Sequence, residues 1–251
     1  MMKRMWLQGT GFALAFAFTA GFFAPASAEA QITRVSRSEP RQSIVFHVGY
    51  FGLRGEDARV TDDTLVTNLE ALAFDIGDFS GATIGGDWIF PLGAWLDGSV
   101  GAGFYRRTVP SVYRDFVRDN GAEIAQDLRL RMVPMTAMIR FLPAGRGGAI
   151  EPYVGGGLAL VNWRYSEVGE FVDFGFSPPD IFRNQYVANG NALGGVILAG
   201  VRAPVADVWL VGGEVRYQRA EADTDPATSG VLGSKIDLGG WSANFTFGIK
   251  F

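Results

Sequence analysis

The chain has 251 residues, no cysteine, one histidine, 34 glycines and 13% aromatic residues, with a formal net charge of −4. The acidic balance argues against nucleic acid as a partner, and one histidine without cysteine leaves too few ligands for a zinc or copper centre, so no metal and no cofactor is expected. The mean hydropathy of +0.13 lies far below that of a helical membrane protein and is what strands with one apolar and one polar or small face produce.

Residues 1–28 read as a cleaved export signal. Lys3 and Arg4 supply the positive start, Gly11 to Phe23 is an apolar run short for a spanning helix, and Ala26-Ser27-Ala28 is a small-x-small cleavage site. The mature chain is expected to begin at Glu29, with Lys plus Arg falling from 22 to 20 against 26 acids and the charge from −4 to −6. Residues 29–42 are polar, contain Pro40, and read as a periplasmic lead-in. Beyond the signal no run approaches the roughly 20 apolar residues of a spanning helix. In a membrane, residues 43–251 must then form a closed barrel, because lipid offers open backbone groups no partner.

Eight strands are expected. The first is Ser43–Arg54, with Ile44, Phe46, Val48 and Tyr50 on one face. A long acidic connection follows from Gly55 to about Leu72, in which Leu65, Val66, Leu69 and Leu72 have helical spacing. Strand two ends at Phe90, with a start as early as Phe74, and Ala82, Ile84, Trp88 and Phe90 share a face. Pro91-Leu92-Gly93 is a tight turn. Strand three spans Trp95–Arg107, and Thr108–Gln126 reads as a polar loop. In strand four, about Asp127–Leu142, the apolar residues change side at Pro134, which suggests a bulge.

Strand five, Ile150–Tyr165, leaves its facing open: Val154, Leu158 and Leu160 compete with Tyr153, Trp163 and Tyr165, with Glu151 and Tyr153 preferred inward. Ser166–Asn189 reads as a third long loop. Strand six is Asn191–Ala203 and strand seven Val208–Arg219, joined by a turn at Pro204–Asp207. Glu221–Ser234 is the fourth polar loop. Strand eight follows, alternating strictly from Trp241, with Ala243, Phe245, Phe247, Ile249 and Phe251 in step. Long and short connections alternate, the pattern of an all-β, closed antiparallel, eight-stranded up-and-down transmembrane barrel with its long loops outside.

The signal, the eight amphipathic segments, the PYVGGGLAL stretch and the terminal TFGIKF together resemble the small outer-membrane β-barrels of Gram-negative bacteria, of the OmpA, OmpX and OmpW sort. That resemblance implies residence in the outer membrane among its lipids, insertion by the barrel-assembly machinery, and an assembly signal at Phe247, Ile249 and Phe251. A monomer is expected, and no peptidoglycan-binding domain after strand eight.

The facing pattern sends Asp87, Asp97, Arg107, Arg140, Glu151, Arg202, Glu214, Arg216 and Lys250 into the lumen. An eight-stranded barrel is about wide enough to be filled by its own side chains, so these charges are expected to pair as a structural plug, with a gate in a narrow pore as the competing reading. His47 reads as an ordinary lumen residue, since no His-x-Ser arrangement accompanies it, and the catalytic list is empty. Glycine clusters such as Gly101/Gly103 and Gly155-Gly156-Gly157 precede no helix and read as strand glycines that make room for neighbours. Trp88, Trp95, Trp163, Trp209, Tyr217 and Trp241 are assigned to interface girdles. Phe171, Phe174 and Phe176 are the candidate surface contact, because exposed loop aromatics want a partner. The functional reading is a structural or surface-interaction barrel. A narrow conduit for small or apolar molecules and a lipid-modifying enzyme are the alternatives, and a soluble lipocalin-like barrel is a fourth.

Overall fold

A computed structural model describes residues 41–205 and 207–251. The signal segment, the start at Glu29 and the lead-in up to residue 40 lie outside the described residues. Eight long strands make the wall: β1 (Ser43–Leu53), β3 (Gly81–Pro91), β4 (Leu96–Val117), β5 (Glu123–Phe141), β6 (Glu151–Asp173), β7 (Asp180–Pro204), β8 (Trp209–Asp223) and β10 (Gly240–Lys250). Two short strands, β2 (Leu72–Ala73) and β9 (Lys235–Asp237), pair with β4 and β8. Each wall strand runs antiparallel to the next, and β10 pairs with both β8 and β1.

The hydrogen-bonded ring is therefore closed, and its stagger can be followed residue by residue. A row of partners begun at Arg219 passes through Gly195, Leu158, Ala137, Val100, Trp88, Ile44 and Ile249. It returns to β8 at Trp209, ten residues away (219 to 209). Such a stagger tilts every strand against the barrel axis.

Around the lower wall the outward residues are apolar and exposed: Ile44, Phe46, Val48, Val100, Ile139, Leu158, Ile197 and Phe245 are among them. Aromatics sit toward its margins. Trp209 stacks on Phe247 at 5.0 Å near one edge, and Tyr217 lies 4.6 Å from Trp241 near the other. A closed barrel wearing an apolar belt with aromatic margins is built to cross a bilayer. Among the described residues no helix is long and apolar enough to cross a membrane; the strands do the crossing.

Beyond the belt the wall continues, and its sides exchange character. Leu128, Leu130 and Met132 on β5, Val161, Trp163 and Tyr165 on β6, and Tyr105 and Val109 on β4 all point inward and are buried. The outward neighbours are polar: Arg106, Arg131, Arg164 and Asn189. This corrects three expectations and decides a fourth point, the facing of strand five, as preferred. There is no bulge at Pro134, where pairing with β6 runs unbroken from Met132↔Trp163 to Met135↔Leu160. The stretches 108–126 and 166–189 are largely strand, joined by turns at 118–122 and 174–179. Trp163 is an inner residue and belongs to no girdle. Strand five faces one way throughout, with Glu151, Tyr153, Trp163 and Tyr165 all inward. In each case the strand keeps its parity and the medium changes. Hydrocarbon outside the lower wall demands apolar residues outward; water outside the upper wall demands them inward.

The first long connection folds into this upper interior. Its helix α1 (Thr64–Asn68) forms where leucine spacing predicts a turn of helix, capped by Asp63, whose carboxylate accepts from the Leu65 and Val66 amides. Leu65, Leu72, Ile76 and Phe79 are buried among the upper strand residues, joined by Ile236 and Leu238 from the last connection.

The belt assignment makes a positional prediction. Ile197→Arg, in mid-belt, is expected to cost about 2–4 kcal/mol, and Asn191→Arg, on the same face beyond the belt, close to nothing. Urea unfolding from lipid vesicles, followed by tryptophan fluorescence, measures both, and equal costs would remove the belt from hydrocarbon.

Candidate functional site

Seven of the nine lumen charges come together, in two groups. In the group nearer the short turns, Arg202 on β7 donates from Nε to Glu151 Oε2 at 2.7 Å, and its Nη1 lies 3.1 Å from Asp97 Oδ2. A residue absent from the expected set completes it: Arg146, on the β5–β6 turn, pairs with Asp97 and donates to the Leu96 carbonyl at 2.7 Å. Further in, Asp87 on β3 accepts from Arg140 on β5 at 3.0 Å and also from Arg216 on β8, which pairs in turn with Glu214. Tyr153 donates to Glu214 Oε2 at 2.9 Å, and the Arg140 guanidinium lies 5.3 Å from the centre of its ring.

Each group holds two arginines and two carboxylates and is formally neutral. That balance is what low-dielectric burial requires, because an unpaired buried charge is costly. The strands make room for it. A side chain at Gly101 would collide with the Asp87 carboxylate, and one at Gly85 with the His47 ring. These glycines therefore serve close packing across the lumen.

Two expected members stand apart. Arg107 is exposed at the upper rim, where its Nε donates to the Asp78 carbonyl at 2.8 Å. Lys250 is half-buried at the end of β10 and makes no ion pair among the described residues. His47 is a buried inward residue whose ring nitrogens hydrogen-bond to no side chain among the described residues. It borders a cavity of about 60 Å³ together with Thr136, Arg216, Asn244, Tyr105 and Met132, at the level where the polar lumen meets the apolar interior above.

A second polar cluster lies beyond the belt. Arg59 Nε pairs with Asp63 at 2.8 Å with both side chains fully buried; Asp63 also accepts from the Asp237 amide, and Arg54 pairs with Asp237 at 2.7 Å. Asp63 thus ties the first connection to the last. Below it Asn68 donates to both Tyr165 Oη and Glu167. The only sequence signal for this cluster is Asp63 itself, standing before Thr64-Leu65 as a helix cap does. Burial holds the Glu167 carboxyl above its ordinary range, against the opposing hydrogen bonds from Asn68 and Tyr165.

Of the three loop aromatics, Phe174 and Phe176 are exposed at the tip of the β6–β7 hairpin. Phe174 packs edge-on to Phe116 of the β4–β5 hairpin at 5.5 Å. Phe171 is buried against Phe182 and Tyr186 and offers no surface. Phe247 and Ile249 lie on the belt, and Phe251 donates its amide to the Gln42 carbonyl at 2.9 Å.

No protein-family model and no curated protein matches the chain. Solved structures resemble it in shape. The outer membrane protein OprG from Pseudomonas aeruginosa aligns with a TM-score of 0.46 at 13% identity, over 84% of this chain and 96% of that one. The E. coli outer membrane protein W aligns at 0.44 and 15% identity, over 85% and 99%. Neisserial surface protein A aligns at 0.43 and 13%, over 84% and 96%. These are likenesses of shape at low identity, and what this barrel does has to come from its own residues.

Two measurements probe the clusters. Asp87→Asn removes the carboxylate shared by two arginines and is expected to destabilise the barrel by about 3–5 kcal/mol. Adding Arg140→Gln should restore part of that loss, and strict additivity in the double-mutant cycle would show that the two do not interact. Glu167, with its folded pKa raised above 4.5, binds more protons folded than unfolded. Its contribution is therefore greatest below pH 4.5 and is lost as pH rises through the folded value. Glu167→Gln should flatten that decline, so that the variant gains on the wild type between acid and neutral pH in urea unfolding. An unchanged difference across that range would contradict the assignment.

Proposed function

We propose that this protein is a structural and surface-interaction barrel of the bacterial outer membrane, and that its lumen is closed to solutes. The observation that carries the reading is the stacking of two charge-balanced arginine–carboxylate groups in the lumen beneath an apolar interior into which the first connection folds. An ion crossing the barrel would have to separate paired charges and then traverse apolar packing, and both steps are unfavourable.

The layout we propose is an export signal at 1–28, a periplasmic lead-in at 29–42 and the barrel at 43–251, acting as a monomer. The barrel-assembly machinery would read Phe247, Ile249 and Phe251. Contact with the exterior would fall to the hairpin tips, where Phe174 and Phe176 are exposed. No chemistry is assigned to the lumen, because His47 has no hydroxyl bonded to it and the carboxylates are engaged by arginines.

The test is electrical. Purified barrel in a planar bilayer is expected to show no steady conductance under voltages of either sign, and the Asp87→Ala/Arg140→Ala/Arg216→Ala variant should stay quiet because the apolar interior above is intact. Steady single-channel steps from the wild-type protein would establish a conduit instead.

A further inference from the structure

Immediately beyond the apolar belt, three outward arginines stand side by side on neighbouring strands. Arg106 on β4 is the register partner of Arg131 on β5, and Arg131 is the register partner of Arg164 on β6. All three are exposed. The belt lies directly beneath them: Phe104 is two residues from Arg106, Val133 two from Arg131, and Leu160 four from Arg164.

Residues directly opposite in an antiparallel pair hold their Cβ atoms about 4.5–5.5 Å apart, and like charges there are destabilising. The row carries three positive charges with no carboxylate among its described ion pairs. Asp127, outward on the same strand as Arg131, is already paired with Arg129 at 2.9 Å. Among the described residues Arg131 itself reaches only the neutral Asn162 side-chain Oδ1, at 3.3 Å. The surrounding outward residues Thr108, Asn162, Asn189 and Asn191 are polar and uncharged.

We propose that Arg106, Arg131 and Arg164 form a binding ladder for the phosphate groups of a phosphorylated lipid in the leaflet on the long-hairpin side. Three features select that occupant. The row lies at the margin of the belt, where headgroups replace hydrocarbon. It is positive, and among the described residues none of its arginines pairs with a carboxylate. Its donors are guanidinium forks, which match phosphate oxygens two at a time. Lipid phosphate would relieve the repulsion along the row while the acyl chains cover Phe104, Leu160 and Leu193 below. The inference rests on the membrane placement of the barrel and is independent of whether the lumen conducts.

Purified barrel in a neutral detergent is titrated with a diphosphorylated glucosamine lipid, with its dephosphorylated counterpart and with inorganic phosphate, and native mass spectrometry counts the molecules retained. The wild type is expected to retain the phosphorylated lipid. The R106Q/R131Q/R164Q variant should bind it at least about tenfold more weakly, a loss of 1.4 kcal/mol or more. R106K/R131K/R164K, which keeps the charge and loses the fork, should fall between them and stands in if the glutamine variant does not fold. Equal retention by wild type and either variant would overturn the assignment, as would equal retention of the dephosphorylated lipid. Displacement of the lipid by an equal concentration of inorganic phosphate would assign the site to a free anion and overturn it too.

Discussion

Hydrocarbon has no hydrogen-bond partner for a peptide group, and the rest of this structure depends on that. The sheet must close on itself, so β10 meets both β8 and β1. Closure with eight strands and a stagger of ten residues leaves an interior that side chains can span. Those side chains face away from lipid and also away from bulk water. Polar groups placed there have to satisfy one another, and the two balanced arginine–carboxylate groups do so from opposite walls. Asp87, shared by Arg140 and Arg216, is the residue through which β3, β5 and β8 are held at one level.

The same constraint explains why the wall changes its sidedness partway up. A strand of β6 length passes from lipid into water without breaking its alternation. Val154 and Leu158 face lipid; Trp163 and Tyr165, of opposite parity, face a core. The upper barrel is therefore built like a soluble protein, with an apolar centre and a charged exterior, on the same strands that below are built the other way round. The connection capped by Asp63 adds Leu65, Leu72 and Phe79 to that centre.

This inversion also sets what was legible in the sequence. Where the outside is lipid, period two and apolarity agree, and the facing of Ile44–Tyr50, Ile197–Val201 and Trp241–Ile249 can be read directly. Above the belt the periodicity persists with its meaning reversed. By local pattern alone the exchange at Pro134 reads as a bulge, the two hairpins read as loops, and Trp163 reads as a girdle residue. The charge groups were legible only as far as facing is a local property: parity sends Asp87, Asp97, Arg140, Glu151, Arg202, Glu214 and Arg216 inward, but which of them pair depends on the stagger of the strands. Arg146 was not, because it reaches the lumen from a turn, where no periodicity applies. Arg107 was misassigned because its inward parity at the rim opens on solvent and on the Asp78 carbonyl. Arg59 and Asp63 are near in sequence, but the tie from Asp63 to the Asp237 amide joins distant segments, and only the cap position of Asp63 is visible locally.

Stability of the tips follows from this upper core. The β4–β5 and β6–β7 hairpins stand well clear of the belt, and a two-stranded ribbon in water is marginal without a packed face. Here each has one. Phe171 is clamped by Phe182 and Tyr186, Phe116 meets Phe174, and the Val172 amide donates to Tyr113 Oη at 3.3 Å, linking one hairpin to the other. The hairpins are thus packed extensions of the barrel. Phe174 and Phe176 stand exposed at the tip that this packing supports. The apolar interior of the upper barrel and the packing of the tips are then one continuous piece of structure.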